Sequence, residues 1–385
     1  MHLTAEVQKL QLMQTQSAMQ NPDNEKHQVI LYTAKQGALV SLLFVLCGLI
    51  YLSAVFIDPN QVSVRKANLA AVPGKNSAAP KQSSDTPKLN SQSATNANDA
   101  WQAPLEVEIP AGKAGAEIRY GRELIAHTAK YFGPKGKIAK LSNGMNCQNC
   151  HLEAGTKLFA NNYSVFYANY PKKGARSGKT DQVTDRISDC FKRSLAGKMP
   201  DKNSKEIKAM IRYFAWVGGG ARRGEKLPGT ATEKLPFLDR PADPKKGLLV
   251  YQEKCKSCHG AEGQGQKAAD ELTYLYPPLW GKSSYSDAAG MYRLSNFAGF
   301  VKNNMPFGVD FKNPQLSNEE AWDVAAYVNT RPRPHRDQRK DYPDLAKKPI
   351  DAPYGPYGDE FPALQHKLGP FKPIVEYTKL NAQKK

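Results

Sequence analysis

Two five-residue strings limit what this chain can fold into: Cys147-Gln148-Asn149-Cys150-His151 and Cys255-Lys256-Ser257-Cys258-His259. Each sits in the same plan, a helix before it, a looped stretch ending in Met-Pro after it, and a closing amphipathic helix. In the first unit, AEIRYGRELIAHTAKYF places Ile118, Gly121, Ile125 and Phe132 on one face, and Gly133-Pro134 is expected to end that helix. In the second, Asp243 is an N-cap before Pro244 at the first helical position, and PKKGLLVYQEKC runs straight into the Cys-x-x-Cys-His. The closing helices carry Ile207, Met210, Ile211 and Phe214 in one unit and Ala321, Val324, Ala325 and Val328 in the other, at i, i+3, i+4, i+7. Ser317 and Glu320 make a capping box at the start of the latter.

Cys-x-x-Cys-His is the c-type haem attachment pattern. Two thiols three positions apart can each form a thioether to a haem vinyl group while the adjacent histidine, His151 or His259, becomes the proximal iron ligand. A zinc site would want further Cys or His at metal spacing, and a thioredoxin-like pair would want a βαβ pattern; neither is seen. The expectation is two covalently attached haem c groups, on Cys147 and Cys150 and on Cys255 and Cys258, in a mainly α fold of two class I cytochrome c-like domains in tandem.

Each iron needs a sixth ligand unless it is kept open for substrate. For the second haem the candidate is Met305, in FVKNNMPFG, where class I cytochromes c supply theirs, with Lys302 as runner-up. For the first, Met199 in KMPD holds the equivalent Met-Pro position, but the lone Cys190 lies nine residues earlier in RISDCFKRSLAGKMP. Basic neighbours Arg186, Lys192 and Arg193 favour a thiolate, the form that binds metals and attacks sulfur. His127 is a third possibility, on a helix. On the residues alone both Met199 and Cys190 stay open.

Ahead of these units, residues 36–57 read QGALVSLLFVLCGLIYLSAVFI, an uncharged stretch of about the length that crosses a bilayer core as a helix. A membrane anchor fits better than a cleaved signal peptide, because the polar segment 1–35 before it is long and no clear small-x-small site follows. Cys47 within it is an inert apolar cysteine. Residues 58–103, rich in Ala, Ser, Asn, Pro and Lys, cannot bury enough apolar surface to fold and form a linker. The first domain then spans 104–236, the second 237–340, and 341–385 is expected as an irregular proline- and tyrosine-rich extension lying over the domains. Haem c is attached outside the cytoplasm in bacteria, so the folded part is expected in the periplasm, tethered to the inner membrane. Export also removes nucleic acid as a partner for the 385-residue chain, despite its net charge of +18.

Several longer strings carry a more specific signal. YGRELIAHTAKYFGPKGK, NGMNCQNCHLEAGT, DRISDCFKRSLAGK, YPPLWG, AGMYRLSNFAGFVKNNMP, LSNEEAWDVAAYVNTRPRP and KPIDAPYGPYGDEF together resemble the dihaem thiosulfate dehydrogenases, from about Ile118 to Ile374. The resemblance implies oxidation of two thiosulfates to tetrathionate with release of two electrons, in some members the reverse. It implies Cys190 as distal ligand of the first haem and as the centre of the chemistry, where it forms an adduct with the outer sulfur of the substrate. It further implies His/Met ligation at the second haem and electron flow from first to second and on to a one-electron acceptor such as a soluble cytochrome c. Some relatives carry a lysine directly before the second methionine; here that residue is Asn304.

Thiosulfate and tetrathionate are dianions, and joining two dianions requires cations to offset their repulsion. Lys172, Lys173, Arg176, Lys179, Arg186, Lys192, Arg193 and Lys198 crowd around Cys190 in sequence, and the expected substrate contacts are Arg186 and Arg193, whose guanidinium groups bind sulfonate-like oxygens bidentately. Two other functions fit the same motifs: a plain electron-transfer cytochrome feeding a terminal oxidase, with Met199 as ligand, and an enzyme conjugating thiosulfate to a carrier protein.

Overall fold

The computed structural model describes residues 100–383. The segment 1–35, the expected anchor 36–57 and nearly all of the expected linker 58–103 lie outside the described residues; among those described, no helix is long and apolar enough to cross a membrane. The fold is mainly helical, and its described residues belong to one compact unit.

Helix α1 (Gly112–Ala126) and the short α2 (Thr128–Phe132) precede the first motif, and α3 (Val183–Asp189) and α4 (Lys205–Val217) follow it. Helices α5 (Pro244–Lys254) and α6 (Lys256–His259) carry the second motif, with α7 (Leu294–Asn304) and α8 (Asn318–Asn329) after it. Two short antiparallel ribbons interrupt the loops: β1 (Lys172–Lys173) with β2 (Thr180–Asp181), and β3 (Gln266–Lys267) with β4 (Tyr274–Tyr276).

The first and last helices of each unit cross at a glycine. A Cβ on Gly121 of α1 would lie 2.1 Å from the Ala209 carbonyl oxygen of α4, and one on Gly247 of α5 would lie 1.9 Å from that of Asp323 in α8. Tyr213 and Tyr327 each stand one turn further along and close over the same glycines. The crossings bury the expected faces, with Ile207, Met210 and Tyr213 in one and Ala321, Val324 and Ala325 in the other almost wholly inaccessible. Gly247→Ala is therefore expected to destabilise the protein by about 3 kcal/mol or more, since backbone cannot yield to the added methyl as a flexible side chain would. Chemical denaturation of the holoprotein measures it, and unchanged stability would contradict this packing.

The caps follow the sequence. Asp243 accepts from the Lys245 amide at 2.8 Å, and Ser317 and Glu320 exchange bonds of 3.1 and 2.7 Å. The first helix departs from expectation: it breaks at His127 (φ −125°, ψ 40°) instead of running on to Gly133. Thr128 Oγ1 bonds back to the Leu124 carbonyl at 2.8 Å, and the Ala129 amide is taken by Asn146 Oδ1 at 2.8 Å, from the residue before Cys147. The break stitches the helix to the motif, because the Cys147 amide in turn donates to Thr128 Oγ1 at 3.0 Å.

The C-terminal segment also differs from the irregular extension expected of it. It holds α9 (Ala363–Leu368) and the twelve-residue α10 (Lys372–Gln383). The lead-in residue Phe371 and Ile374 are buried, and the Phe371 ring sits 5.4 Å from Phe237 and 5.7 Å from Trp322, so apolar docking organises a stretch whose prolines suggested otherwise.

Candidate active site and haem-binding residues

Around the first motif the polypeptide encloses a cavity of about 260 Å³. Cys147, Cys150 and His151 line it from one side, and Arg186 and Cys190 from the α3 side. Ile125, Phe191, Leu195, Met210 and Phe214 form apolar walls. Burial pushes the thiols of Cys147 and Cys150 up to about 12 and the His151 imidazole down to about 4. His151 Nδ1 is held by the Asn161 carbonyl at 2.5 Å, which leaves Nε2 free of hydrogen bonds among the described residues, and the ring stacks on Tyr163 with centroids 4.6 Å apart.

The second motif repeats the device. His259 is buried, with Nδ1 on the Pro277 carbonyl at 2.8 Å and Nε2 likewise without a hydrogen-bond partner among the described residues. A histidine held through Nδ1 to a backbone carbonyl has its tautomer and orientation set for metal ligation through Nε2. Two half-buried thiols three positions apart and one such imidazole are the donor set that a covalently attached haem requires, and at the first motif the apolar walls add suitable surroundings, so the residues present fit the group.

Met305 is the residue at which α7 ends, partly buried against the core. Its runner-up, Lys302, donates instead to the Leu316 carbonyl. At the first motif, Cys190 lines the cavity and Met199 does not. The Met199 loop is fastened elsewhere, with the Lys198 amide on the Leu141 carbonyl at 2.8 Å and the Gly197 amide on that of Phe191 at 2.9 Å. His127 is exposed beside Glu123, 3.6 Å away.

Cys190 begins a π-turn, Cys190–Ser194, that continues α3, and its carbonyl accepts from the Leu195 amide at 3.0 Å. Such i→i+5 turns inside helices recur at functional sites. One α-helical turn before it, Arg186 faces the same cavity, and attraction to Cys190 holds its guanidinium above the ordinary arginine range. Among the described residues Arg186 makes no side-chain hydrogen bond or ion pair, unlike the other arginines of this neighbourhood.

Arg193, the other expected substrate contact, is not brought to the cavity. It is buried and forms a two-pronged pair with Asp341, both bonds 2.7 Å, with Nε on Asp189 at 3.3 Å. Arg176 also pairs with these two carboxylates, at 3.7 and 3.8 Å. The second cation that does line the cavity is Lys172, on β1. It is exposed, its Nζ lies 5.0 Å from the centroid of the Tyr170 ring, and partial burial together with Arg186 depresses its ammonium. In sequence Lys172 is one of eight basic residues around Cys190, and its place on the cavity wall is what singles it out.

These features define a c-type cytochrome with a cationic, thiol-bearing cavity beside one haem-binding motif. The cytochrome c family profile matches residues 244–332, the second unit. A thiosulfate dehydrogenase of Stutzerimonas stutzeri is 38% identical over 251 residues, 65% of this chain and 78% of that protein. One from Psychrobacter arcticus is 35% identical over 291 residues, covering 72% of this chain and 84% of its own. Among solved structures, the thiosulfate dehydrogenase (TsdBA) from Marichromatium purpuratum in its "as isolated" form aligns with a TM-score of 0.57 at 31% identity, over 62% of this chain and 50% of that one. The chain thus spans half the length of that solved chain. It belongs to the thiosulfate dehydrogenase family and is a haem c protein.

Proposed function

We propose that the chain is a periplasmic thiosulfate dehydrogenase with tandem cytochrome c domains, 104–236 and 237–340, tethered to the inner membrane through 36–57 and joining two thiosulfates into tetrathionate. Cys147 and Cys150 would hold one haem c covalently, with His151 and Cys190 as the residues that would ligate its iron; Cys255 and Cys258 would hold the other, with His259 and Met305. When bound, haem c would supply one-electron acceptance for the two electrons of the oxidation, with the Cys147/Cys150 site as the entry point, the Cys255/Cys258 site as the exit and a soluble cytochrome c as the kind of external acceptor. The observation that carries this reading is the placement of Cys190 and the unpaired Arg186 in the cavity that also holds Cys147, Cys150 and His151.

The residue chemistry balances. The Cys190 thiolate bonds to the outer sulfur of one thiosulfate as two electrons leave, giving a Cys–S–S–sulfonate with one negative charge. A second thiosulfate attacks that same sulfur, the bond to Cys190 breaks, and tetrathionate departs as the thiolate is restored. Arg186, beside the thiol, binds the sulfonate oxygens of the first substrate. Lys172, exposed and on the same cavity, receives the second dianion and offsets its repulsion by the first.

Near-infrared magnetic circular dichroism tests the ligand assignment. A thiolate-to-iron band from one ferric haem and a methionine band from the other are expected; methionine bands from both would contradict it. Lys172→Met should raise KM for thiosulfate about tenfold and leave kcat nearly intact, because it removes attraction rather than a reacting group. Steady-state kinetics at low ionic strength measures this, and an unchanged KM would remove Lys172 from substrate capture.

A further inference from the structure

The segment after the second unit reaches back to the helix that carries Cys190. Asp341 accepts both terminal nitrogens of Arg193 at 2.7 Å, accepts the Tyr354 hydroxyl at 3.1 Å, and lies 3.8 Å from Arg176. Its neighbour Tyr342 donates its amide to the Arg176 carbonyl at 2.9 Å, and a Cβ on Gly178 would lie 2.5 Å from Pro343, so the strand of chain is seated closely on the first unit. Arg193 belongs to the same π-turn as Cys190, and its Nε is held by Asp189, the residue just before the thiol. The residues that bracket Cys190 are thus fastened to each other and to one carboxylate.

We infer that Asp341 is a positioning residue for Cys190: a carboxylate from the C-terminal segment holds Arg193, and through it the turn that presents the thiol to the cavity. Three observations carry this. The Arg193–Asp341 pair is bidentate, which fixes direction as well as distance. Arg193 is 8% exposed and the Asp341 side chain 9%, so solvent cannot replace either partner. A π-turn departs from the regular helical ladder and is held by its surroundings, and the contacts made by Arg193 and Asp189 supply that hold. The functional need is geometric, since a sulfur that must meet both an iron and a substrate sulfur tolerates little displacement.

The inference rests on the proposal that Cys190 works at the first haem, and the test separates the two. In the full-length holoprotein, Asp341→Asn should weaken or split the near-infrared thiolate band of the first haem and lower kcat about 10- to 100-fold. KM should stay within about twofold and the methionine band of the second haem should not change. Asp341→Glu should recover part of both losses. Arg193→Lys, which keeps the charge but loses the fork, should reproduce the defect, and the Arg193→Lys/Asp341→Asn double variant should be no worse than either single. A carboxylate that only stabilises the fold would lower the melting temperature and leave the band alone. Wild-type band and kcat in Asp341→Asn would overturn the inference. Should that variant fail to fold, Tyr354→Phe decides: it removes one bond to Asp341 and no charge, the same weakening or splitting of the thiolate band is expected, and an unaltered band overturns the inference. A wild-type protein with no thiolate band would contradict the Cys190 assignment itself, and this inference with it.

Discussion

Cys190→Ser is expected to keep its covalently attached haem and lose thiosulfate turnover by on the order of 10³-fold or more. Serine is nearly isosteric with cysteine, and the thioether positions Cys147 and Cys150 lie on another wall of the cavity, so haem attachment does not depend on residue 190. What disappears is the atom that bonds to the outer sulfur of the substrate and later leaves from it. An alkoxide at physiological pH is neither available in quantity nor a good leaving group from sulfur, whereas a thiolate is both. Pyridine haemochrome absorbance gives the haem content and tetrathionate formation the rate. Full activity in this variant would make Cys190 a bystander and return Met199 as the expected ligand.

Arg186→Ala should lower kcat/KM for thiosulfate by about 100- to 1000-fold, the range seen when one charge-stabilising donor is removed from an active site. Among the described residues the guanidinium has no carboxylate within ion-pair distance, so its loss falls on the anion it binds. Arg186→Lys should recover only part of the loss, since an ammonium keeps the charge without the fork that matches two sulfonate oxygens. The comparison with Arg193→Ala is informative. That substitution removes a paired, buried guanidinium and leaves Asp341 without its main partner, so it should lower thermal stability as well as rate. If Arg186→Ala bound and turned over thiosulfate normally, the electrostatic account of the cavity would fail.

The parts of the fold legible in the sequence are those set by local rules. The Asp243-Pro244 start, the Ser317/Glu320 box and the paired closing helices are all present, because capping and hydrophobic period depend on neighbours within one or two turns. The break at His127 was not legible, since it arises from Asn146 and the Cys147 amide reaching Thr128 and Ala129 from about eighteen residues away. Helix α10 was hidden for a similar reason: prolines surround and enter it, and the lead-in Phe371 is anchored by Phe237 and Trp322, which belong to distant segments.

The site divides the same way. Cys147, Cys150 and His151 announce themselves by spacing, and Cys190 by being a lone thiol among basic residues. Which cations face the thiol could not be read from their number. Arg186 and Lys172 line the cavity with it, while Arg193 and Arg176 share the carboxylates of Asp189 and Asp341, and the place of Asp341 beside them depends on how the C-terminal segment folds back. Met199 holds the Met-Pro position in sequence, yet its loop is fastened to Leu141 and it is not among the residues that line the cavity.

The most direct test of the central claim is thiosulfate-dependent reduction of ferricyanide by the purified holoprotein, with thiosulfate consumed and tetrathionate formed both quantified. Two thiosulfates consumed and two ferricyanides reduced are expected for each tetrathionate released. Haems that dithionite reduces but thiosulfate does not, with no tetrathionate formed, would contradict that claim and leave an electron-transfer cytochrome in its place.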